Sequence, residues 1–380
     1  MYSFYNTFKN ELLEIKSSFY RVSMLTLIPL SVFVIIIVIF HSGVVRDLSV
    51  VLVDEDNSKT SRLIAFELDA NSVVDITSQT TSMLEAKKLI LQNRAYAIIY
   101  IPPNFEKDVY LKKVPSLDVF INKQFILIGE NLESEIKKSL ISMMIYADVV
   151  NKMIKVKNID IAISQENPIQ IQQNSFFNSY NNYFLFLVAA LIPAIWQIFV
   201  MLNTIIAFGS TYEKKAQLSW FNRASKNTFI AILAKMLPTT IVMFLWGVLF
   251  LGYFYFYLPW GFEGSFTFML LTLFVTTLAY QAVALFLFSV TFDYVMTLSA
   301  SAFYAAPAFA YLGITYPVEN MNTFATIWHH LLPISYYIQI QLQQASFGSS
   351  ILVSLPLLGY ISLFLVTSIF TYIRFKRSFR

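Results

Sequence analysis

Three histidines, His41, His329 and His330, are the chain's whole supply of imidazole, and it has no cysteine. Thiol catalysis, disulfides and thiolate metal sites are therefore excluded. Neighbouring residues on a helix point about 100° apart, so His329 and His330 are poorly placed to share a metal ion. Packing at a membrane interface is their expected role. No glycine is followed by lysine anywhere in the sequence. A Walker-type loop needs that pair to wrap and neutralise phosphates, so nucleotide hydrolysis by that route is excluded too. G-x-G-x-x-G and G-x-S-x-G are likewise missing. The sequence offers no catalytic, cofactor or metal site and does not read as an enzyme.

Proton-coupled carriers bury carboxylates within their spans. Here Asp293 falls at the edge of an apolar segment, and Glu263 and Glu319 fall in loops, which argues against such a secondary carrier. With Lys235 counted in the charged island at 209–235, the polar residues singled out inside apolar segments are uncharged: Gln197, Asn203, Thr204, Gln281, Thr291 and Ser299. Groups of this kind hydrogen-bond between helices; Gln197, Asn203 and Gln281 are also candidates for lining a substrate path. Residues 209–235 form a charged and polar island, with Glu213, Lys214, Lys215, Arg223 and Lys226 between two segments long enough to cross a bilayer. Ionised side chains are costly in hydrocarbon, so the island belongs at a water face. Its basic excess puts that face in the cytoplasm, where a soluble partner can grip it.

Composition sets these residues in a membrane protein. Only 13% of residues are charged, against roughly 25% in soluble domains, and the chain carries 36 Phe and 22 Tyr. The net charge of +4 is small and gathers at segment ends, which marks topology rather than nucleic-acid binding. Residues 1–21 carry Phe4, Phe8, Leu12, Ile15 and Phe19 at helical spacing, with Lys9, Glu11, Glu14, Lys16 and Arg21 as the polar side. That pattern predicts an amphipathic helix in the cytoplasmic membrane interface. Residues 22–40 are uncharged and long enough to span, longer than a cleavable signal's apolar core, and the first crossing is taken to end by residue 42.

Residues 43–182 mix charges of both signs and alternate strand-like with helix-like patterns. Strands are expected at 48–53, 95–101 and 117–121, and helices at 61–68, 82–92 and 130–157. This is a compact α/β or α+β domain inserted between the first two spans. The transmembrane pattern then fills 183–373, with spans at 184–208, 229–258, 266–290, 295–313 and 351–373. Residues 209–228 are the cytoplasmic loop, and 314–350 are an amphipathic, Gln-rich segment too polar to span simply. A basic tail, 374–380, closes the chain. The short loops 259–265 and 314–350 contain no Lys or Arg. Six spans with both termini cytoplasmic and the inserted domain outside satisfy the positive-inside rule.

At several places the sequence resembles the permease subunit of ABC-2-type exporters, in the subgroup with a large external domain between the first two spans. Residues 48–61, LSVVLVDEDNSKTS, are similar to that subgroup's strand and following turn. Glu85-Ala86 and AIIYIPPNF at 97–105 fit its next helix and strand. LGITYPVENM at 312–321, followed by Leu332-Pro333-Ile334-Ser335-Tyr336-Tyr337, resembles the stretch between the last two spans. In the island Glu213, Leu218, Lys235 and Pro238 fit the family, whereas Ala216 and Gln217 stand where it has Gly-Thr and Ala224 where it has Pro.

The resemblance implies two permease copies docked on separate ABC ATPase subunits, with ATP used only by those partners. The island would be the coupling helix, with Leu218, Trp220 and Phe221 as apolar contacts and Glu213, Lys214, Lys215 and Arg223 as polar ones. The N-terminal helix would be a second contact. Short helices in 314–344 would form an external gate around Gly313, Pro317, Met321, Pro333 and Tyr336. The substrate would be amphipathic or hydrophobic and leave through the bacterial inner membrane, with a periplasmic adaptor as a further partner. The alternatives are a non-transporting receptor or scaffold whose external domain binds a ligand, and a secondary carrier.

Overall fold

The computed structural model describes residues 2–41, 43, 45–111, 116–156, 182, 184–258 and 260–379. It divides into one unit made of Met1–Gly43 with Phe176–Arg380, and another within Val44–Ser175.

The chain begins with α1 (Tyr2–Ser17), α2 (Phe19–Leu25) and α3 (Leu27–Phe40). The expected continuous span is broken at Thr26, whose φ and ψ of −127° and −65° leave the helical region. Pro29 is the cause. It has no N–H to give the Leu25 carbonyl four residues back, and the Trp246 indole donates to that oxygen instead, at 2.9 Å. The Asn203 amide donates to the neighbouring Met24 carbonyl at 3.1 Å. In these first helices Glu11 and Arg21 of the expected polar side are buried while Lys9 and Lys16 are exposed. Leu12 and Phe19 of the expected apolar side are exposed, while Ile15 packs against the core.

The second unit is built on β1 (Leu48–Asp54), α4 (Lys59–Asp69), β2 (Val74–Thr80), α5 (Met83–Leu91), β3 (Ala97–Ile101), α6 (Phe105–Tyr110), β4 (Asp118–Ile121) and α7 (Ile126–Val156). The strands form a four-stranded sheet in the order β2-β1-β3-β4. β1 pairs in parallel with β2 and β3, and β4 runs antiparallel to β3. Period-two alternation sends Val50 and Leu52 to one face, where Ile64, Leu68, Leu132 and Ile136 meet them. Val51 and Val53 point to the other face and meet Ala86, Ala95 and Ile98. The acidic turn after β1 is a knot of hydrogen bonds. Asp54 accepts from the Asp56 and Asn57 amides at 3.0 and 2.9 Å and from the Ser61 hydroxyl at 2.7 Å. Strand β2 and helix α6 were not anticipated, and residue 157, the expected end of the long helix, lies outside the described residues.

The first unit resumes with a π-helical turn at Phe184–Val188 leading into α8 (Ala189–Glu213), then α9 (Gln217–Arg223) and α10 (Thr228–Gly252). α11 (Phe266–Thr291) follows, then α12 (Tyr294–Ala305) running into a 3₁₀ stretch at Ala306–Tyr311. The last helices are α13 (Thr323–His330), α14 (Pro333–Gln341), α15 (Ile351–Leu363) and α16 (Thr367–Ser378). Among the described residues, 5 helices are long and apolar enough to cross a membrane: Phe19–Phe40, Phe184–Glu213, Thr228–Tyr257, Phe266–Thr291 and Ile351–Ser378. The chain is thus a polytopic helical membrane protein carrying a small sheet. The segment expected as a further span, 295–313, is the shorter α12 with its 3₁₀ continuation and does not belong to that set. Pro193 repeats the Pro29 device: it deprives the Ala189 carbonyl of a helical donor, and Gln341 supplies one at 2.9 Å.

Candidate coupling site

The charged island folds as α9 between two tight bends. Lys215 before it and Ser225 and Lys226 after it take left-handed backbone angles, with φ of 54°, 54° and 57°. The Asn227 side chain then caps α10 by accepting from the Ile230 amide at 3.1 Å. Trp220, expected on a partner-facing surface, is instead buried. Its ring meets Phe208, Phe375 and Phe379 edge-on, and its indole donates to the Ala231 carbonyl at 3.3 Å. Phe221 stacks on Phe379 with centroids 4.2 Å apart, and the Tyr212 and Ser378 hydroxyls meet at 3.0 Å. Large aromatics with hydrogen-bond handles fix such a loop because they bury wide apolar area while satisfying their polar tip. What α9 leaves outward is Leu218, 62% exposed, beside exposed Glu213, Lys214 and Lys215.

Beneath α9 lies a buried ionic network. The two oxygens of Glu11 are taken by different cations, Oε1 by the Arg21 guanidinium and Oε2 by the Lys235 ammonium. Their side chains are exposed by only 3%, 7% and 2%. Glu14 adds a second carboxylate, 3.7 Å from Arg21, 4.0 Å from Lys235 and 3.6 Å from Arg223. The Lys235 ammonium also lies 5.7 Å from the Trp220 ring centroid and 5.9 Å from that of Phe208. A buried charge is tolerated only when paired and hydrogen-bonded. The network therefore fixes α1, α2, α9 and α10 to one another at the same place where Trp220 fixes α9 to α8 and α16. Arg223 alone among the expected polar contacts joins it; Glu213, Lys214 and Lys215 do not. Glu11, Arg21 and Lys235 were not anticipated as a group, although a lone lysine within an apolar helix is a signal of this kind.

The expected gate residues lie around α13 and α14, near the end of α8 opposite the island. Gly313 has φ of 82°, and a Cβ there would sit 2.6 Å from Val318. Pro317 is exposed and precedes a 3₁₀ turn at Val318–Asn320, with Met321 half-buried after it. Pro333 opens α14, whose Ile334 amide donates to the Tyr280 hydroxyl at 3.0 Å. Tyr336 lies 3.0 Å from His330 Nδ1 and stacks on Tyr360. His329 Nδ1 bonds the Tyr311 carbonyl at 2.6 Å. The two imidazoles are turned 80° from one another, and no metal-holding cluster occurs among the described residues. Turning to the expected path residues, Gln197, Asn203 and Gln281 are all buried. Gln197 donates to the Ala305 carbonyl at 3.3 Å, and Gln281 accepts from Thr240 at 2.8 Å. With Asn203 on Met24, each of the three ties its own helix to another.

Residues 21–373 match the family model described as ABC-2 family transporter protein. The chain belongs to the ABC-2 transporter family. It is accordingly a multi-pass membrane permease of an ABC-type transporter, a transport component rather than a catalyst. No curated protein matches the chain. The family match starts at Arg21, so this permease's buried network joins matched residues (Arg21, Arg223 and Lys235) to a preceding helix that supplies both carboxylates.

Proposed function

We propose that this permease is the membrane subunit of an ATP-driven exporter energised by a separate ATPase subunit that docks on the outward face of α9. The observation that carries the reading is the exposed Leu218, set among charged residues on a helix whose other side is anchored by Trp220 and the Glu11–Lys235 pair. A push on α9 would be delivered to α10 through Trp220 and Lys235, and to α1 through Glu11 and Glu14. Rigid packing transmits displacement because interiors have low compressibility. The sequence has no phosphate loop of its own, so the motor is assigned to the partner.

The same reading gives six crossings, two copies of the permease, both termini in the cytoplasm and the 43–182 domain outside the bacterial inner membrane. Support for a sixth crossing comes from length: the 12 residues of α12 and the 6 of its 3₁₀ continuation reach about 30 Å, one hydrocarbon thickness. The cargo is an amphipathic or hydrophobic molecule, and a periplasmic adaptor completes the assembly. Co-purification from the native membrane tests the docking. The ATPase is expected to follow the wild type, to be lost with Leu218→Asp and to be kept with Phe324→Asp on α13. A wild type that brings no ATPase, or a Leu218→Asp variant that retains it, overturns the reading.

A further inference from the structure

A groove of about 410 Å³ runs between the third, fourth and last of the five apolar helices. Leu233 and Met236 of α10, Leu278 and Leu285 of α11, and Leu365 and Ile369 on the last helix form its walls. Between Leu365 and Tyr372 the groove follows the helix for about 10 Å, roughly two-thirds of one leaflet's hydrocarbon depth. The polar groups along it come in a fixed order. Ser368, Tyr372 and Lys376 recur every four residues, so they stack on one face of α16, each about 6 Å above the last. Ser368 and Tyr372 line the groove together with Thr371, and one turn beyond Tyr372 the Lys376 ammonium lies 5.9 Å from its ring centroid. Arg374 fixes this end of the helix. Its guanidinium donates to the Ser289 and Val290 carbonyls at 3.0 and 3.1 Å, fastening α16 to the end of α11.

From depth to surface the groove thus presents hydrocarbon walls, hydroxyls, an interfacial phenol and an exposed ammonium. A glycerophospholipid has the same sequence of groups: acyl chain, ester and phosphate. We propose that this groove is a binding site for an anionic phospholipid of the leaflet on the side of the C-terminus, with one acyl chain between α10, α11 and α16 and its phosphate against Lys376. The charge at that end selects the class. A zwitterionic lipid brings its own cation to the headgroup and gains less from Lys376 than phosphatidylglycerol does. This site is separate from the partner-facing surface of α9, and its occupancy does not depend on which ATPase docks there.

Native mass spectrometry of the delipidated full chain, offered equal amounts of palmitoyl-oleoyl phosphatidylglycerol and phosphatidylcholine, tests the site. The phosphatidylglycerol adduct is expected to exceed the phosphatidylcholine adduct by about fivefold, the value of one well-placed cation. Lys376→Glu is expected to bring the ratio to about one, and Leu278→Trp, which fills the groove, to lose both adducts with the melting temperature kept. Arg377→Glu, one residue away on the same exposed tail, is expected to leave the ratio as it was, and soluble glycerol phosphate is expected not to compete. A wild-type ratio near one overturns the proposal. So does an equal loss with Arg377→Glu, which means attraction to a basic tail without a site. A Leu278→Trp variant that loses self-association while keeping its lipid assigns the groove to a second copy and overturns the proposal as well.

Discussion

The Lys235 ammonium and the Glu11 carboxylate stand 224 positions apart in the chain and form a buried ion pair. That pair joins a helix lying ahead of the family match to a helix well inside it. Losing a partner from a buried pair costs about 3–5 kcal/mol. Removing Glu11 leaves the buried Arg21 and Lys235 with Glu14 alone, at 3.7 and 4.0 Å, whereas removing Lys235 leaves Glu11 paired with Arg21. Glu11→Leu is expected to lower the melting temperature in detergent sharply and Lys235→Met less so, because Arg21 still holds Glu11, and the double variant to lose less than the sum of the two. A double-mutant cycle measures this: coupling near zero would show that the two side chains do not meet.

Gln341 and Trp246 serve carbonyls that prolines have orphaned. The Gln341 amide donates to Ala189, four residues before Pro193, and also lies 3.0 Å from the Tyr255 hydroxyl. Gln341→Leu keeps the volume roughly but leaves a buried carbonyl without a donor, at about 1–3 kcal/mol. Thermal unfolding of Gln341→Leu and Trp246→Phe is expected to show losses of that order for each, and a Pro193→Ala background to soften the first, because the helix then regains its own N–H.

Gly264 lies against the backbone of the π-helical turn at Leu342–Ser346. Its amide donates to the Gln344 carbonyl at 2.8 Å, and a Cβ on it would sit 2.6 Å from that same oxygen. A backbone atom cannot step aside as a side-chain tip can, so Gly264→Ala is expected to destabilise by about 1–3 kcal/mol. Gly252→Ala has open space around its Cβ and is the matched control, expected to be neutral or slightly stabilising within its helix.

Burial pushes the His329 imidazole below its ordinary value of 6.5, with the Tyr311 carbonyl and Glu319 opposing that shift and His330 adding to it. The unfolded chain therefore takes up its proton first as the pH falls, and protonation favours unfolding. This contribution is complete above about 6.5 and declines below it, down to the lowered folded value. Melting temperatures measured between pH 7.5 and 5 are expected to fall on the acid side, and His329→Gln to flatten that part of the curve.

The long apolar helices were legible because length and absence of charge suffice to mark them, and the central strands because β1 and β3 are nearly continuous apolar runs. β2 was not, since an edge strand reading VDITSQT buries little beyond Val74. The break at Thr26 was written in Pro29, but the donor that makes it tolerable, Trp246, is 221 positions from Leu25. In the island, charge and spacing placed the loop, yet they could not tell a partner-facing aromatic from a locking one. Trp220 is locked because Phe208 of α8 and Phe375 and Phe379 at the end of α16 converge on it. The burial of Glu11 has the same origin: it reads as solvated until Lys235 and Arg21 are beside it.

The most direct test of the docking surface is photo-crosslinking in native membranes from a benzophenone side chain placed at Leu218. An adduct of the permease with its ATP-binding subunit is expected from that position, and none from Phe324 on α13. An adduct from Phe324 with none from Leu218 would contradict the account, because the partner would then be gripping the end of the molecule away from α9.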